Sequence, residues 1–187
     1  MLRILTAGES HGPELTAILD GFPAGLLVDV PALDAFLARR QKGHGSGGRM
    51  KIEKDAVRIS AGVLGGKTTG APIALHIQNL DHAAWAGKEI PPFTIPRPGH
   101  ADLGGAVKYG HHDIRVTLER ASARETAIRT AAGALCAQLL GVFGIRIGAF
   151  VSAIGAVEAR LENDHDWETL WATAENDPVR CPDPDAS

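Results

Sequence analysis

Four short stretches carry side chains able to do chemistry. Gly8-Glu9-Ser10-His11-Gly12 puts a histidine between glycines, and an imidazole, whose ordinary pKa is about 6.5, can take or give a proton at physiological pH. The same stretch also reads as a polar turn with a hydrogen-bonded histidine. Arg39, Arg40 and Arg49 flank the glycine-rich run 43–48. Guanidinium forks grip phosphate or carboxylate through two parallel bonds, although a solvated basic loop has the same composition. In Arg97-Pro98-Gly99-His100-Ala101-Asp102 the Pro-Gly bend presents Arg97 and His100 together. There Asp102 either orients the His100 ring or caps a turn. Finally, Glu119-Arg120-Ala121-Ser122-Ala123-Arg124-Glu125-Thr126 runs into a helix whose first N–H groups suit an anion. Ser122 and Glu125 have capping-box spacing, which leaves Arg124 free to face a ligand; the other reading pairs Arg124 with a nearby acid.

Each cluster needs elements to hold it. Residues 2–7 and 15–19 read as strands, and 30–40 as a helix with Pro31 near its start. Strands are expected at 57–63 and 71–77, joined by Gly/Thr turns. Residues 79–112 show almost no periodicity and form a long loop, which in a compact chain points to function. The clearest helix is 123–140, with Ile128, Ala131, Ala132, Leu135 and Leu139 on one stripe and Gly141 as its stop. A strand is expected over 145–156 and an acidic helix over 161–176. His76 reads as structural and His111-His112 as exposed loop.

Composition narrows the classes of function. The 187 residues are 44% hydrophobic and 22% charged, which fits one globular domain over 1–187. Glycine, at 22 residues, is well above its usual share and clusters in loops. No run is long and apolar enough for a membrane helix, and no secretory signal is apparent. Cys136 and Cys181 are too few for a disulfide framework, so a reduced, cytoplasmic setting is expected. Residues 1–157 carry 17 basic against 13 acidic side chains, and the tail 158–187 carries 2 against 9. The basic body suits a small anionic substrate; the acidic tail and a pI near 6.2 argue against nucleic acid. His100 and Asp102 are spaced like metal ligands, but no third ligand is well placed and the arginines oppose a cation, so no metal is expected. Rossmann, Walker A and nucleophile-elbow patterns are missing.

Taken in order, the four stretches resemble chorismate synthase. The matching segments are 6–12, Arg39-Arg40-Gln41 with the loop through Arg49 to Glu53, 97–102 with Lys108-Tyr109, and 119–126. The resemblance implies an α+β fold with layered β-α-β antiparallel sheets and enclosed helices, assembled as a homotetramer. It implies a phosphate lyase that converts 5-enolpyruvylshikimate 3-phosphate to chorismate. That reaction is a 1,4-anti-elimination requiring reduced FMN, with NADPH as a reductant. By the match, His11 and His100 are catalytic; Arg49, Arg97 and Arg124 hold substrate anions. Arg120, Ala121 and Ser122 contact the flavin, and Arg40 sits at a position linked to NADPH. Two positions depart from the pattern: Ser46, usually arginine, and His44, where an aromatic is frequent. The resemblance covers the family's N-terminal half; the other half carries further flavin contacts, an arginine and an aspartate among them. Weak or no turnover is therefore expected of this chain alone. The alternative is a non-catalytic anion- or flavin-binding or assembly module of the same descent.

Overall fold

The computed structural model describes residues 1–42, 44, 47–161 and 166–187. A four-stranded antiparallel sheet, in the order β1-β2-β6-β3, is built from Arg3–Ala7, Glu14–Asp20, Ile73–Gln78 and Arg58–Ala61. The intervening β4 (Val63–Leu64) and β5 (Lys67–Thr68) form a small hairpin. The registers Leu15↔Ile77, Ala17↔Leu75 and Leu19↔Ile73 put all six apolar side chains on one face. Each is no more than 1% exposed. Burying a leucine or isoleucine side chain this fully contributes roughly 1.5–3 kcal/mol, and a slip of one residue would turn the whole set to water.

Two helices cover that face. In α1 (Val30–Gln41) the Asp29 Oδ1 accepts the Ala32 N–H at 3.0 Å, Pro31 occupies the first turn, and the positive charges of Arg39 and Arg40 complement the dipole at the last. The 18-residue α5 (Glu125–Val142) turns Ala127, Ile128, Ala131, Ala132, Ala134 and Leu135 inward. Its alanines let the backbone lie close to the sheet. The α+β class with antiparallel pairing is thus as expected.

Several expectations need correction. The segment 79–112 is not one loop: it contains the short α2 (His82–Trp85) and α3 (Asp102–Tyr109), and α4 (Arg115–Arg120) follows. Between 145 and 156 only β7 (Ala153–Ile154) forms, in a hairpin with β8 (Val157–Glu158). Ile145 and Ile147 are 50% and 66% exposed, and no longer strand lies beside them among the described residues. The acidic helix is α6 (Trp167–Glu175), with Asp166 as its cap. It is tied back to α1 by ion pairing of Glu175 with Arg39. Ser46 lies outside the described residues; the His44 amide donates to the Pro178 carbonyl at 2.8 Å.

His76 is structural, as expected. In β6 its ring contacts Thr16 Oγ1, Glu14 Oε1 and Ser60 Oγ across neighbouring strands. Cys136 is half-buried, and burial pushes its thiol pKa up.

Candidate functional site

The His11 turn leaves β1 at Gly8, whose φ of +117° only glycine adopts readily; a Cβ there would meet the Glu14 carbonyl at 2.7 Å. Asn79 ties the turn down by donating to the carbonyls of Gly12 (2.8 Å) and Glu9 (3.2 Å). His82 Nδ1 reaches the His11 carbonyl at 2.8 Å. The His11 ring lies 4.1 Å, centroid to centroid, from Trp85. Its Nδ1 is 2.7 Å from Glu119 Oε1, and Nε2 lies 3.8 Å from Asp81.

Around this turn the arginines are held by carboxylates. Arg49 comes from a single 3₁₀ turn, Gly48–Lys51, and grips Ser10 by Oγ (2.7 Å) and carbonyl while its Nε and Nη2 bind Glu53. Ser10 Oγ also accepts from Ser122 Oγ at 3.0 Å. Arg124 is 3% exposed, with Nη1 on Asp55 (2.6 Å), Nε on the Asn79 side-chain oxygen (2.7 Å) and Nη2 on the Gln78 carbonyl. Asp55 in turn faces Arg40 Nη1 at 3.4 Å, and Glu53 faces Arg124 at 3.5 Å. Burial lowers the Arg40 pKa from its ordinary value, and Asp55 works against that shift. His11, Arg40, Arg49, Arg124 and Ser122 therefore share one polar network.

The expectation that Arg124 is free for a ligand is overturned. Its fork is spent on buried partners, the reading in which it pairs with a nearby acid. The capping box does not form either. Arg124 is the cap residue, Ser122 Oγ accepts the Arg124 amide at 3.2 Å, and the Glu125 carboxylate is drawn to Thr6 and Arg129 instead. Burial raises the Glu125 pKa, but the bonds from Arg129 and Thr6 outweigh it and leave it lowered.

Arg97 and His100 stand apart from that network; among the described residues no hydrogen bond or ion pair joins them to it. Asp102 does not orient His100. Its carboxylate clamps Arg97. His100 is exposed at the bend before α3.

Next to both groups lies a cleft of about 910 Å³. Arg120, Ala121 and Ser122 line it, with Glu9, Glu119 and Ala101 bringing it up to His11 and His100 in sequence. Arg120 is tethered through Nη2 to the Thr6 carbonyl (2.9 Å) and hydroxyl (3.0 Å), and its side chain stays 41% exposed. Tyr109, Val116 and Gly105 supply apolar surface, and Lys108, Arg115 and Arg129 supply positive charge. His111 lines the cleft too, half-buried and stacked on Tyr109 at 5.5 Å, so only His112 is the exposed loop residue expected. Apolar surface beside Lys108, Arg115, Arg120 and Arg129 fits a flat aromatic bearing a phosphate, such as a flavin mononucleotide, with the carboxylates of Glu9, Glu119 and Glu125 also on the lining. Among the described residues no three of His, Cys, Asp and Glu are grouped to hold a metal ion.

Sequence reasoning missed Asp55, Asn79, Asp81 and Trp85. Asp55 belongs to no motif of its own, and the other three lie in the stretch without periodicity. Glu119 was quoted in its motif without a role.

Sheet, helices and site define an α+β protein with a cleft suited to an anionic aromatic, set against a buried arginine–carboxylate network. A family model described as chorismate synthase matches residues 2–187. A relative of that name from Symbiobacterium thermophilum is 52% identical, with 100% of this chain and 51% of the relative covered. One from Geobacillus kaustophilus is also 52% identical, with 99% and 50% covered. A structure titled "Crystal Structure of Chorismate Synthase" superposes with a TM-score of 0.78 at 42% identity, covering 98% of this chain and 50% of that one. The chain belongs to the chorismate synthase family. It spans about half the length of the curated relatives it matches.

Proposed function

We propose that this chain serves the family's lyase reaction: 1,4-anti-elimination of phosphate from 5-enolpyruvylshikimate 3-phosphate to give chorismate. The observation that carries the reading is the meeting of the His11 turn, Arg49 and Ser122 beside a cation-rimmed cleft. A substrate bearing a phosphate and two carboxylates needs several fixed guanidinium groups, and fixed donors stabilise departing charge without reorganising.

In this reading Arg49 and Arg97 bind substrate anions. Asp102 leaves Arg97 Nη1 without a partner among the described residues, so that side of the fork can meet a ligand. Arg124 acts one step back: it holds Asp55 and Glu53, which set the forks of Arg40 and Arg49. His11 gives a proton to the departing phosphate, and His100 holds one at the α3 end of the cleft. Arg120, Ala121 and Ser122 would hold the flavin, with Lys108, Arg115 or Arg129 near its phosphate. Reduced FMN would supply electron density to the substrate as phosphate leaves. NADPH as reductant rests on the match at Arg40 alone. Residues 1–187 are read as one domain of a cytoplasmic homotetramer. No helix among the described residues is long and apolar enough to cross a membrane.

The test joins this chain in frame to the second half of the Symbiobacterium relative. With substrate and chemically reduced FMN, phosphate release is expected to match chorismate formation and to fall at least ~100-fold in His11→Ala. Absence of release, or release that survives His11→Ala together with His100→Ala, overturns the reading. Flavin binding without release would favour the non-catalytic module.

A further inference from the structure

Glu119 makes two bonds to one residue. Its Oε2 accepts the His11 amide at 2.8 Å, and its Oε1 lies 2.7 Å from the His11 ring Nδ1. Its own carbonyl accepts the Ser10 amide at 3.0 Å. The last turn of α4 thus holds both the backbone and the ring of the turn that carries His11. A carboxylate can only accept, so the short contact requires the proton to sit on Nδ1. At the far side of the ring, Asp81 is 3.8 Å from Nε2, too long for a hydrogen bond that would draw the proton there. The Trp85 ring lies against the imidazole, 4.1 Å away centroid to centroid and tilted by 37°, which crowds its rotation.

We propose that Glu119 is the positioning residue of His11, fixing the neutral imidazole as the Nδ1–H tautomer so that Nε2 is the nitrogen that exchanges a proton. The inference deepens the lyase reading and rests on it for what the proton is used for. In the doubly protonated ring, the Nε2 proton passes to a departing phosphate oxygen. The ring is left neutral with its remaining proton on Nδ1, facing Glu119, so no tautomer change or ring flip is needed between turnovers. Because Glu119 also lines the cleft, the ring is held in register with the wall that receives the ligand.

The test needs no substrate. Ring ¹⁵N spectra of this chain at a pH of roughly 8.5, above the ordinary imidazole value, report which nitrogen is protonated, with His11 assigned from the signals lost in His11→Gln. The Nδ1–H form is expected to dominate by about tenfold or more. Glu119→Gln has one acceptor for two donors, so the preference should fall or invert, and Glu119→Asp should restore part of it. A native ring protonated on Nε2 overturns the proposal, as do ring signals unchanged in Glu119→Gln. The native spectrum decides even where the Glu119 variants fail to fold. An Nδ1–H ring in a protein that releases no phosphate would sink the lyase reading and leave the positioning role standing.

Discussion

Asp102 Oδ2 accepts both the amide (3.0 Å) and the Nε–H (2.9 Å) of Arg97, and Oδ1 accepts Nη2 at 3.0 Å. The carboxylate has no exposed surface, and these bonds, with the Arg97 charge, hold its pKa at about 2 against burial. The folded-state pKa is depressed. The clamp therefore contributes fully above the ordinary aspartate value of about 3.9 and fades as pH falls toward 2. Asp102→Asn keeps the shape and loses the charge and one acceptor. It should cost on the order of 2 kcal/mol near neutral pH. Urea unfolding of both proteins should show that gap closing between pH about 4 and 2; a gap that stays constant would mean the charge is not what holds the turn.

The clamp also shows what the sequence makes legible. The alternation in β2 and β6 and the stripe in α5 are local patterns, set by which side chains avoid water, and the structure reproduces them within a few residues. The sequence offers Asp102 as orienting the His100 ring or capping a turn, and no periodicity points to Arg97, the partner it takes. Arg124 is harder still, since its acids come from residues 53 and 55 and enter only after the chain has folded. The helix α3 has no sequence signal because Gly104 and Gly105 weaken its propensity, and it packs closely on α4 where Gly105 meets Thr117.

Arg124 and Asp55 make a buried pair, 1% and 0% exposed at the side chain. Removing one partner strands the other in a low-dielectric interior. Arg124→Met should therefore destabilise by about 3–5 kcal/mol, leaving Asp55 and Glu53 with one cation fewer. Combined with Asp55→Asn it should cost clearly less than the sum of the single changes. Chemical denaturation of the four proteins gives the cycle, and additive losses would show that the pair is not coupled.

The pair between Arg39 and Glu175 is a contrast. Side-chain exposures of 32% and 26% leave it open to solvent and salt, although hydrogen bonding from Arg39 does lower the Glu175 pKa. Glu175→Gln should cost no more than about 1 kcal/mol, and less in high salt. A larger, salt-insensitive loss in thermal unfolding would show that the junction of α6 with α1 depends on this charge.

Gly105 tests the cleft wall without altering any charge. A Cβ there would meet Thr117 Cγ2 at 2.2 Å and Oγ1 at 2.5 Å, so only glycine lets α3 lie this close to α4. Both residues line the cleft, and Thr117 is 8% exposed. Alanine is the better helix former by about 1 kcal/mol, so on an open helix face Gly105→Ala would stabilise. Here the overlap should reverse the sign, costing about 1–3 kcal/mol and moving α3 outward. Thr117→Ala removes the two closest atoms and leaves Cβ at 2.9 Å, so the double variant should recover part of the loss but not all. Flavin affinity should follow the same order: native above the double variant, and the double variant above Gly105→Ala. A stabilised Gly105→Ala with unchanged flavin binding would separate this contact from the shape of the cleft.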